Sequence, residues 1–314
     1  MTRPIGIVGC GLIGRAWAIV FARAGYAVLL YDAEVGAVER ALTVIDGNLS
    51  DLERAGLIDS ASAVRVRMRP CAALDAALAD VIYVQESVFE DRALKARVFA
   101  EMDALAPPDA VLASSCSAIP GSQFLADIPG RGRCLIAHPA NPPYLMPVVE
   151  LVPTPHTGDA AVERCYRLME EVGQVPVVLK KEVPGFVMNR LQAGVVNEAV
   201  QLVQQGVMSP DDIDKVMRYS LGLRWSFMGP FETMDLNAPA GFQDYATRYG
   251  KSYEAMGRTM RGGEPWDPAA VAAVEAARRQ LVPADKVGDR QAWRDRRLMA
   301  LLRHIAASDR DFGR

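Results

Sequence analysis

The segment Ile5-Gly6-Ile7-Val8-Gly9-Cys10-Gly11-Leu12-Ile13-Gly14 decides the fold of this 314-residue chain. It joins a short apolar strand to a GxGxxG turn, and the residues that follow, through Phe21, have the apolar spacing of a helix. A strand, a turn and a helix in this order form the context that a dinucleotide-binding fingerprint requires. In that fingerprint Gly9 permits the tight turn, Gly11 lets the backbone approach a pyrophosphate, and Gly14 lets the helix pack closely on the strand.

The residues beside and after the glycines indicate which dinucleotide binds. Leu12 and Ile13 open the predicted helix, where unpaired N–H groups and the helix dipole favour the negative charge of the phosphates. Asp32 ends the second predicted strand, at the separation where a carboxylate accepts hydrogen bonds from the adenosine ribose; the alternative is that it only caps the next helix. Because Ala33 and Glu34 follow and no Arg is placed to neutralise a 2′-phosphate, we expect NAD rather than NADP.

Alternating strand and helix patterns up to about residue 180 predict an α/β fold with a Rossmann-type, doubly wound and mostly parallel sheet. The predicted strands are residues 5–8, 27–31, 79–84, 111–113, 134–137 and 148–152. Helical spacing covers residues 186–206, 210–219 and the tail over 271–314. We therefore expect an NAD-binding Rossmann domain over residues 1–183 and an all-helical C-terminal domain over residues 184–314.

Composition and charge limit the classes of partner. Half of the residues (50%) are apolar and the net charge is −3, so the chain can bury a large core and has no field that would attract nucleic acid. No apolar run approaches the ~20 residues that span a bilayer, and the first residues leave no room for a signal peptide. Five cysteines without a CxxC pair fit a reducing compartment. We expect a cytoplasmic protein that binds a small molecule, with no membrane, nucleic-acid or metal partner.

Two residues near the end of the Rossmann region have the pattern of a catalytic base and its carboxylate partner. His138 ends the apolar run 134–137 and precedes the rigid segment Pro139-Ala140-Asn141-Pro142-Pro143. Glu150 lies in the apolar strand 148–152, where a carboxylate needs a partner. An ionised Glu150 would fix the imidazole tautomer of His138 and stabilise the imidazolium. Alcohol oxidation needs such a pair, because a base takes the hydroxyl proton while hydride leaves carbon for a nicotinamide.

Four motifs in this order resemble the L-3-hydroxyacyl-CoA dehydrogenase superfamily, and the resemblance covers nearly the whole chain. The motifs are the fingerprint 9–14, Ser-Ser-Cys-Ser-Ala-Ile-Pro at 114–120, the run 138–150 and Val-Pro-Gly-Phe-Val-Met-Asn-Arg at 183–190. The resemblance implies that His138 and Glu150 form the base pair inferred above. It also implies that Ser117 and Asn189 hydrogen-bond the reacting oxygen.

The resemblance implies further roles outside this catalytic set. Glu90 and Lys95 match positions that line the nicotinamide side of the cofactor, and the helical domain matches one that binds substrate and forms a homodimer. The residues alone leave other interpretations open. Ser117 fits an ordinary turn serine, Asn189 a polar residue on a buried helix, and Glu90 with Lys95 a solvated helix face.

Within the superfamily, the chain is most similar to the branch of lambda-crystallin and L-gulonate 3-dehydrogenase. The matching stretches are residues 138–144, 222–230 and 291–295. The acyl-CoA branch has Asn-Thr-Ser-Ser around the serine, whereas this chain has Ser115-Cys116-Ser117-Ala118, which argues against a thioester substrate. Arg224 supplies a physical reason, because a guanidinium offers a bidentate, permanently charged partner to a free carboxylate. The alternative is an internal ion pair of Arg224 with Glu232 or Asp235.

These features order the candidate functions. NAD-dependent oxidation of the 3-hydroxyl of L-gulonate, to 3-dehydro-L-gulonate, ranks first; L-carnitine or another free 3-hydroxy acid ranks second, and 3-hydroxybutyryl-CoA third. Carnitine would need aromatic rings, such as those of Trp225, Phe227 and Tyr144, for its trimethylammonium group. Two alternatives without turnover are a crystallin-like structural protein and an NAD-sensing module. The intact catalytic set argues against the structural protein.

Overall fold

The computed structural model describes residues 3–260 and 264–313 of the chain. The predicted outer ends of the two domains, residues 1 and 314, lie outside these described residues. The chain forms two compact units: the first contains Met1–Asn189 and Asp295–Ala306, and the second contains Arg190–Arg294 and Ala307–Arg314. The first unit thus extends past residue 183 and takes in part of the predicted helical tail, and the domain bounds 1–183 and 184–314 stay a prediction.

The first unit is built on one sheet of eight strands. They are β1 (Ile5–Val8), β2 (Val28–Tyr31), β3 (Met68–Pro70), β4 (Tyr83–Glu86), β5 (Val111–Ser114), β6 (Cys134–Pro139), β7 (Val148–Pro153) and β8 (Val175–Val178). Their order in the sheet is β3-β2-β1-β4-β5-β6-β7-β8. Neighbours from β3 to β6 are parallel, β7 runs antiparallel to β6, and β8 is parallel to β7. The prediction of a doubly wound, mostly parallel sheet is confirmed.

Helices and buried apolar side chains cover the sheet on both faces. The helices of this unit are α1 (Leu12–Arg23), α2 (Ala37–Arg54), α3 (Ala61–Arg65), α4 (Leu74–Leu78), α5 (Arg92–Leu105), α6 (Ser122–Leu125) and α7 (Asp159–Glu171). Because successive side chains of a strand point to opposite faces, β1 contributes to two cores. Ile5 and Ile7 belong to the core that includes α1, α2 and α7, whereas Val8 belongs to the core that includes Phe99 of α5. Burial of both faces is the usual state of a parallel sheet.

One predicted strand is displaced along the chain. The sequence pattern predicts a strand over residues 79–84, but the structure places β4 at Tyr83–Glu86. Residues 79–82 connect α4 to this strand. The strand ends in two polar residues, Gln85 and Glu86, which an apolar pattern does not assign to a buried strand. Both are fully buried because their side chains have partners; the Gln85 amide, for example, donates to the Ser115 hydroxyl at 2.7 Å.

The second unit is helical, as the sequence predicts. The remaining helices of the chain are α8 (Met188–Gln204), α9 (Pro210–Val216), α10 (Gly222–Arg224), α11 (Pro230–Asp235), α12 (Phe242–Gly257), α13 (Pro268–Leu281) and α14 (Val287–Phe312). The helix predicted over 186–206 begins only at Met188, since Phe186 has a left-handed φ of 51°. A π-helical turn, Met217–Leu221, replaces the end of the helix predicted over 210–219. Among the described residues, none of the helices has a stretch long and apolar enough to cross a membrane.

The last helix, α14, contributes a segment to the core of the first unit. Within Asp295–Ala306, Met299 is 3% exposed and belongs to the same core as β1 and α1. Leu298 and Leu302 pack partly against that core, whereas Leu301 is 40% exposed. The sequence pattern predicts this helix but not its contacts with the core. The helix has many charged residues and few buried apolar ones, so no apolar face marks the side that packs.

We predict that Met299→Ala destabilises the first unit, whereas Leu301→Ala on the same turn of α14 does not. Removal of a buried methionine side chain costs about 2 to 5 kcal/mol, while exposed positions change stability by about 0.5 kcal/mol or less. Thermal and urea unfolding of the two variants and the wild type would measure the difference. Equal stabilities of both variants would show that α14 is not part of this core.

Candidate active site

The glycine-rich turn has the geometry that a dinucleotide needs. Gly9 has a φ of 92°, and a Cβ there would lie 2.8 Å from the backbone of Ser87, at the end of β4. A Cβ on Gly14 would lie 1.8 Å from the carbonyl oxygen of Gly9, so only glycine allows α1 to start this close to β1. Gly11 is different, because a Cβ there would meet nothing within 4 Å. No side chain caps the start of α1 at Leu12. The open space and the uncapped helix N-terminus fit the phosphates of NAD.

Asp32 follows β2, and its carboxylate binds the backbone of the glycine-rich turn. Its Oδ2 accepts the N–H of Cys10 at 2.7 Å, and its Oδ1 accepts the N–H of Glu34 at 2.9 Å. Gly36, not Asp32, occupies the N-cap of α2, so the alternative that Asp32 only caps the next helix is wrong. A half-buried carboxylate beside the glycine turn is the arrangement that receives the adenosine ribose in this fold.

Lys95 of α5 lies in a buried ion pair. The residue is 1% exposed, and its ammonium contacts both carboxylate oxygens of Glu86, at 2.8 and 3.0 Å, and the carbonyl oxygen of Val88 at 3.3 Å. Glu86 also accepts the Ser114 hydroxyl at 2.5 Å, which links the ends of β4 and β5. Lys95 is therefore not part of a solvated helix face. Its predicted contact with the nicotinamide side of NAD stays a prediction.

His138 and Glu150 are direct neighbours across β6 and β7. The antiparallel register places the two residues opposite each other, so their side chains share one face of the sheet. His138 Nδ1 and Glu150 Oε2 are 2.8 Å apart, and both side chains are buried. Burial raises the pKa of Glu150, but the hydrogen bonds from His138 and from two backbone amides outweigh it and lower the pKa below its usual value. Glu150 is thus ionised at neutral pH and fixes the orientation of the imidazole.

The second oxygen of Glu150 binds the chain just before α8. Glu150 Oε1 accepts the N–H groups of Val187 and Met188, both at 2.8 Å. Phe186, the residue before them, is fully buried, and its ring lies 5.5 Å from the His138 ring, centroid to centroid. Sequence analysis did not identify Phe186. The dipeptide Pro184-Gly185 in front of it marks a break in the chain, but it does not show which ring packs on the histidine.

Ser117 and Asn189 are joined to the same network. The Asn189 side-chain amide donates to the backbone carbonyl of Ser117 at 2.8 Å, and the N–H of Gly185 donates to the carbonyl of Ala118 at 3.3 Å. The Ser117 hydroxyl donates to Glu90 Oε2 at 2.5 Å. The segment that satisfies Glu150 therefore also positions the Ser117 turn. The structure brings together four predicted residues, Ser117, His138, Glu150 and Asn189, and links Ser117 to Glu90, whose predicted place on the nicotinamide side of NAD stays a prediction.

The arrangement leaves one imidazole nitrogen available for proton transfer. An ionised Glu150 only accepts hydrogen bonds, so His138 Nδ1 carries the proton that lies between them; in the neutral imidazole of this tautomer the lone pair is on Nε2. Cys116, beside Ser117, is unsuited to act as a nucleophile because burial raises the pKa of its thiol to about 11. This arrangement is suited to a general base, a role that stays a prediction for His138.

Comparisons with known proteins agree with this geometry. Residues 4–183 match the family model of the 3-hydroxyacyl-CoA dehydrogenase NAD-binding domain, and residues 185–281 match that of the 3-hydroxyacyl-CoA dehydrogenase C-terminal domain. The chain belongs to this family, whose members are NAD-dependent dehydrogenases acting on a CH–OH group. NAD is accordingly its cofactor.

Individual relatives span several activities. The chain is 41% identical to the lambda-crystallin homolog of Bos taurus over 307 residues, which cover 96% of this chain and 95% of the relative. It is 32% identical to an L-carnitine dehydrogenase of a Pseudomonas species over 312 residues, 99% of this chain and 96% of the relative. Among solved structures, 5-formyl-3-hydroxy-2-methylpyridine 4-carboxylic acid 5-dehydrogenase, an NAD-dependent dismutase, has a TM-score of 0.84 and 27% identity. The match covers 98% of this chain and 99% of that one.

We predict that Glu150→Gln lowers kcat by about 10²- to 10⁴-fold, the usual contribution of a positioned general base. The amide oxygen still accepts the N–H groups of Val187 and Met188, but the amide nitrogen faces His138 Nδ1 and donates to it. The proton then moves to Nε2, and the base is lost. Steady-state kinetics and NAD affinity of Glu150→Gln would measure the effect.

Glu182→Gln is the matched control for this prediction. Glu182 Oε1 accepts the N–H of Ser122 at 2.9 Å, a bond that an amide oxygen also makes, and it has no part in the His138 network. This control should keep both turnover and NAD affinity. Undiminished turnover of Glu150→Gln would contradict the assignment of Glu150 as the partner of the base.

Proposed function

We propose that the protein oxidises the 3-hydroxyl of a free 3-hydroxy acid with NAD as the acceptor. We further propose L-gulonate as the substrate and 3-dehydro-L-gulonate as the product. The observation that carries the reaction is the buried contact of 2.8 Å between His138 Nδ1 and Glu150 Oε2, with the carboxylate saturated by donors. It supports a base that is held in one tautomer and stabilised when it gains a proton.

The residues of the site have distinct roles in this reaction. NAD supplies the hydride acceptor when it is bound. His138 Nε2 takes the proton of the substrate hydroxyl while the carbon that bears this hydroxyl loses a hydride. The hydroxy acid thereby becomes a keto acid. Glu150 stabilises the imidazolium that forms, without itself taking the proton. Ser117 and Asn189 are proposed to hydrogen-bond the reacting oxygen, and His138 later returns its proton to water.

Arg224 supports a free acid as substrate. It is the last residue of α10 and is half-buried. Within residues 3–260 and 264–313 it forms no ion pair with Glu232 or Asp235, the internal partners that the sequence leaves open. Asp235 instead accepts the N–H of Phe242 at 2.7 Å. A guanidinium that is not neutralised internally is suited to a carboxylate ligand.

The relatives support the same class of substrate. Two of them are named for substrates that carry a free carboxylate, L-carnitine and a pyridine 4-carboxylic acid. The family name, by contrast, refers to a CoA thioester, so 3-hydroxybutyryl-CoA remains the third candidate, after L-carnitine or another free 3-hydroxy acid. A crystallin-like structural role is the candidate without catalysis, supported by the resemblance to lambda-crystallin homologs.

We predict that the wild-type protein with NAD forms NADH from L-gulonate or another free hydroxy acid, and that His138→Gln abolishes this turnover. The loss of the base should lower kcat by about 10²- to 10⁴-fold. L-gulonate, L-carnitine and L-3-hydroxybutyryl-CoA would be tested in parallel by NADH absorbance. His156→Gln, a change in an exposed loop, is the matched control and should leave kcat unchanged.

Each other outcome points to one alternative. Turnover of the thioester alone would overturn the free-acid proposal and favour oxidation of 3-hydroxybutyryl-CoA as the function. NAD binding without turnover of any substrate would favour a structural or NAD-sensing role. Full activity of His138→Gln would show that another group is the base.

We predict that Arg224→Met raises the KM for the free acid by about 10- to 100-fold, while the Kd for NAD does not change. The loss of a charge-assisted hydrogen bond costs about 1.5 to 3 kcal/mol, and about 1.4 kcal/mol corresponds to a factor of ten. Arg248→Met is the control, because Asp244 already pairs with that guanidinium at 2.7 Å. An unchanged KM in Arg224→Met would remove the argument for carboxylate recognition by this residue.

We also propose a cytoplasmic homodimer that forms through the second unit. This unit exposes several large apolar side chains, among them Leu223, Phe227, Phe231 and Leu236. It also contains an apolar cavity of about 370 Å³ between α8, α9 and the π-helical turn. Exposed apolar surface of this extent supports a protein–protein contact.

A further inference from the structure

The carboxylate of Glu90 receives four hydrogen bonds from one turn of the chain. Glu90 Oε1 accepts the N–H of Ala118 at 2.7 Å, the N–H of Ser117 at 3.2 Å and the thiol of Cys116 at 3.3 Å. Within the described residues, the one donor to Glu90 Oε2 is the Ser117 hydroxyl, at 2.5 Å. Glu90 therefore does more than lie on a solvated helix face, because it organises the turn that carries Ser117.

This geometry fixes the direction of the Ser117 hydroxyl. An ionised carboxylate has no proton to donate, so the hydroxyl must donate to it. Burial raises the pKa of Glu90, but hydrogen bonds from Ser117, Ala118 and Cys116 outweigh that effect, and the net pKa is lowered. A serine hydroxyl has a single proton. While this proton points to Glu90, Ser117 Oγ has only lone pairs to offer to another oxygen.

We propose that Glu90 is a positioning residue that withholds the Ser117 proton from the reacting oxygen until negative charge develops on that oxygen. The proposal rests on the proposed function, in which the substrate hydroxyl gives its proton to His138. The substrate oxygen and Ser117 Oγ would then face each other with lone pairs, an unfavourable contact in the ground state. As hydride leaves and the proton passes to His138, the oxygen becomes a stronger acceptor, and the Ser117 hydroxyl rotates toward it.

No bond to Ser117 or Glu90 is made or broken in this sequence. Bound NAD would accept the C–H electron pair as hydride, the O–H proton would go to His138, and Ser117 would keep its own proton throughout. Glu90 stays ionised and retains its three other donors. Because the new hydrogen bond is stronger in the transition state than in the ground state, it raises kcat rather than only improving substrate binding.

Glu90→Gln tests the proposal with little change in shape. The amide oxygen can accept the same backbone N–H groups as Oε1, whereas the amide nitrogen takes the place of Oε2 and donates to Ser117 Oγ. The hydroxyl is then free to donate to the substrate oxygen in the ground state as well. We expect kcat and KM for the hydroxy acid to fall together by about 5- to 10-fold, with kcat/KM nearly unchanged, because the variant stabilises the bound ground state and not the transition state.

A binding measurement gives a second readout that structural damage would not produce. Acetoacetate, a stable 3-keto acid, forms a dead-end complex with the NAD-bound enzyme because both partners are oxidised. Calorimetry should show a Kd about 5- to 10-fold lower for Glu90→Gln than for wild type. In the double variant with Ser117→Ala this gain should vanish. A raised KM, or an unchanged or raised Kd for acetoacetate in Glu90→Gln, would overturn the proposal.

A neutron crystal structure of the wild-type enzyme without substrate separates this proposal from the proposed function. A deuteron on the line from Ser117 Oγ to Glu90 Oε2 supports it, and a deuteron in any other direction overturns it. That result does not depend on the identity of the substrate. Failure of every hydroxy acid as a substrate would contradict the proposed function, and the neutron structure would still decide the orientation of Ser117.

Discussion

The candidate active site depends on the hydrogen-bonding needs of one buried carboxylate. Glu150 is 2% exposed, and an ionised carboxylate is stable in such a place only where donors surround both oxygens. His138 and the N–H groups of Val187 and Met188 are these donors. Leaving such a charge unpaired costs about 3 to 5 kcal/mol. The β6–β7 register and the start of α8 are therefore coupled, because a change in either leaves one oxygen of the carboxylate without its donors.

The backbone before α8 is strained, and the strain has a physical reason. Phe186 has a left-handed φ of 51°, which costs about 1 to 3 kcal/mol for a residue other than glycine. This conformation lets the Phe186 ring pack on His138 while the next two amides turn toward Glu150. A residue in the ordinary helical region would let the helix begin about two residues earlier and direct those amides along the helix axis instead. The strain is thus balanced by the contacts that orient the imidazole.

Much of this fold and site could be predicted from the sequence, namely the parts for which residue type and spacing indicate the local structure. The glycine turn, Asp32 and the strand pair holding His138 and Glu150 follow local patterns, and the register of a hairpin then brings opposite residues together. Three features could not be predicted from local sequence patterns, because each depends on contacts with other parts of the chain. Gln85 and Glu86 are buried because of partners distant in sequence, Lys95 is one of those partners, and Met299 packs on a core formed by the other end of the chain.

The groups proposed to act on the substrate hydroxyl do not depend on the far end of the substrate. His138, Ser117 and Asn189 would serve an acid and a thioester equally, because each is directed at one oxygen. A carboxylate, however, loses hydration when it binds, and it gains only if a cation meets it. In the proposed reaction Arg224 favours the acid in two ways. It offers the carboxylate a bidentate partner, and a neutral thioester would leave the guanidinium unpaired. Under this proposal the choice of substrate would depend on the pairing of one charge, and the same base and carboxylate could serve different substrates within one family.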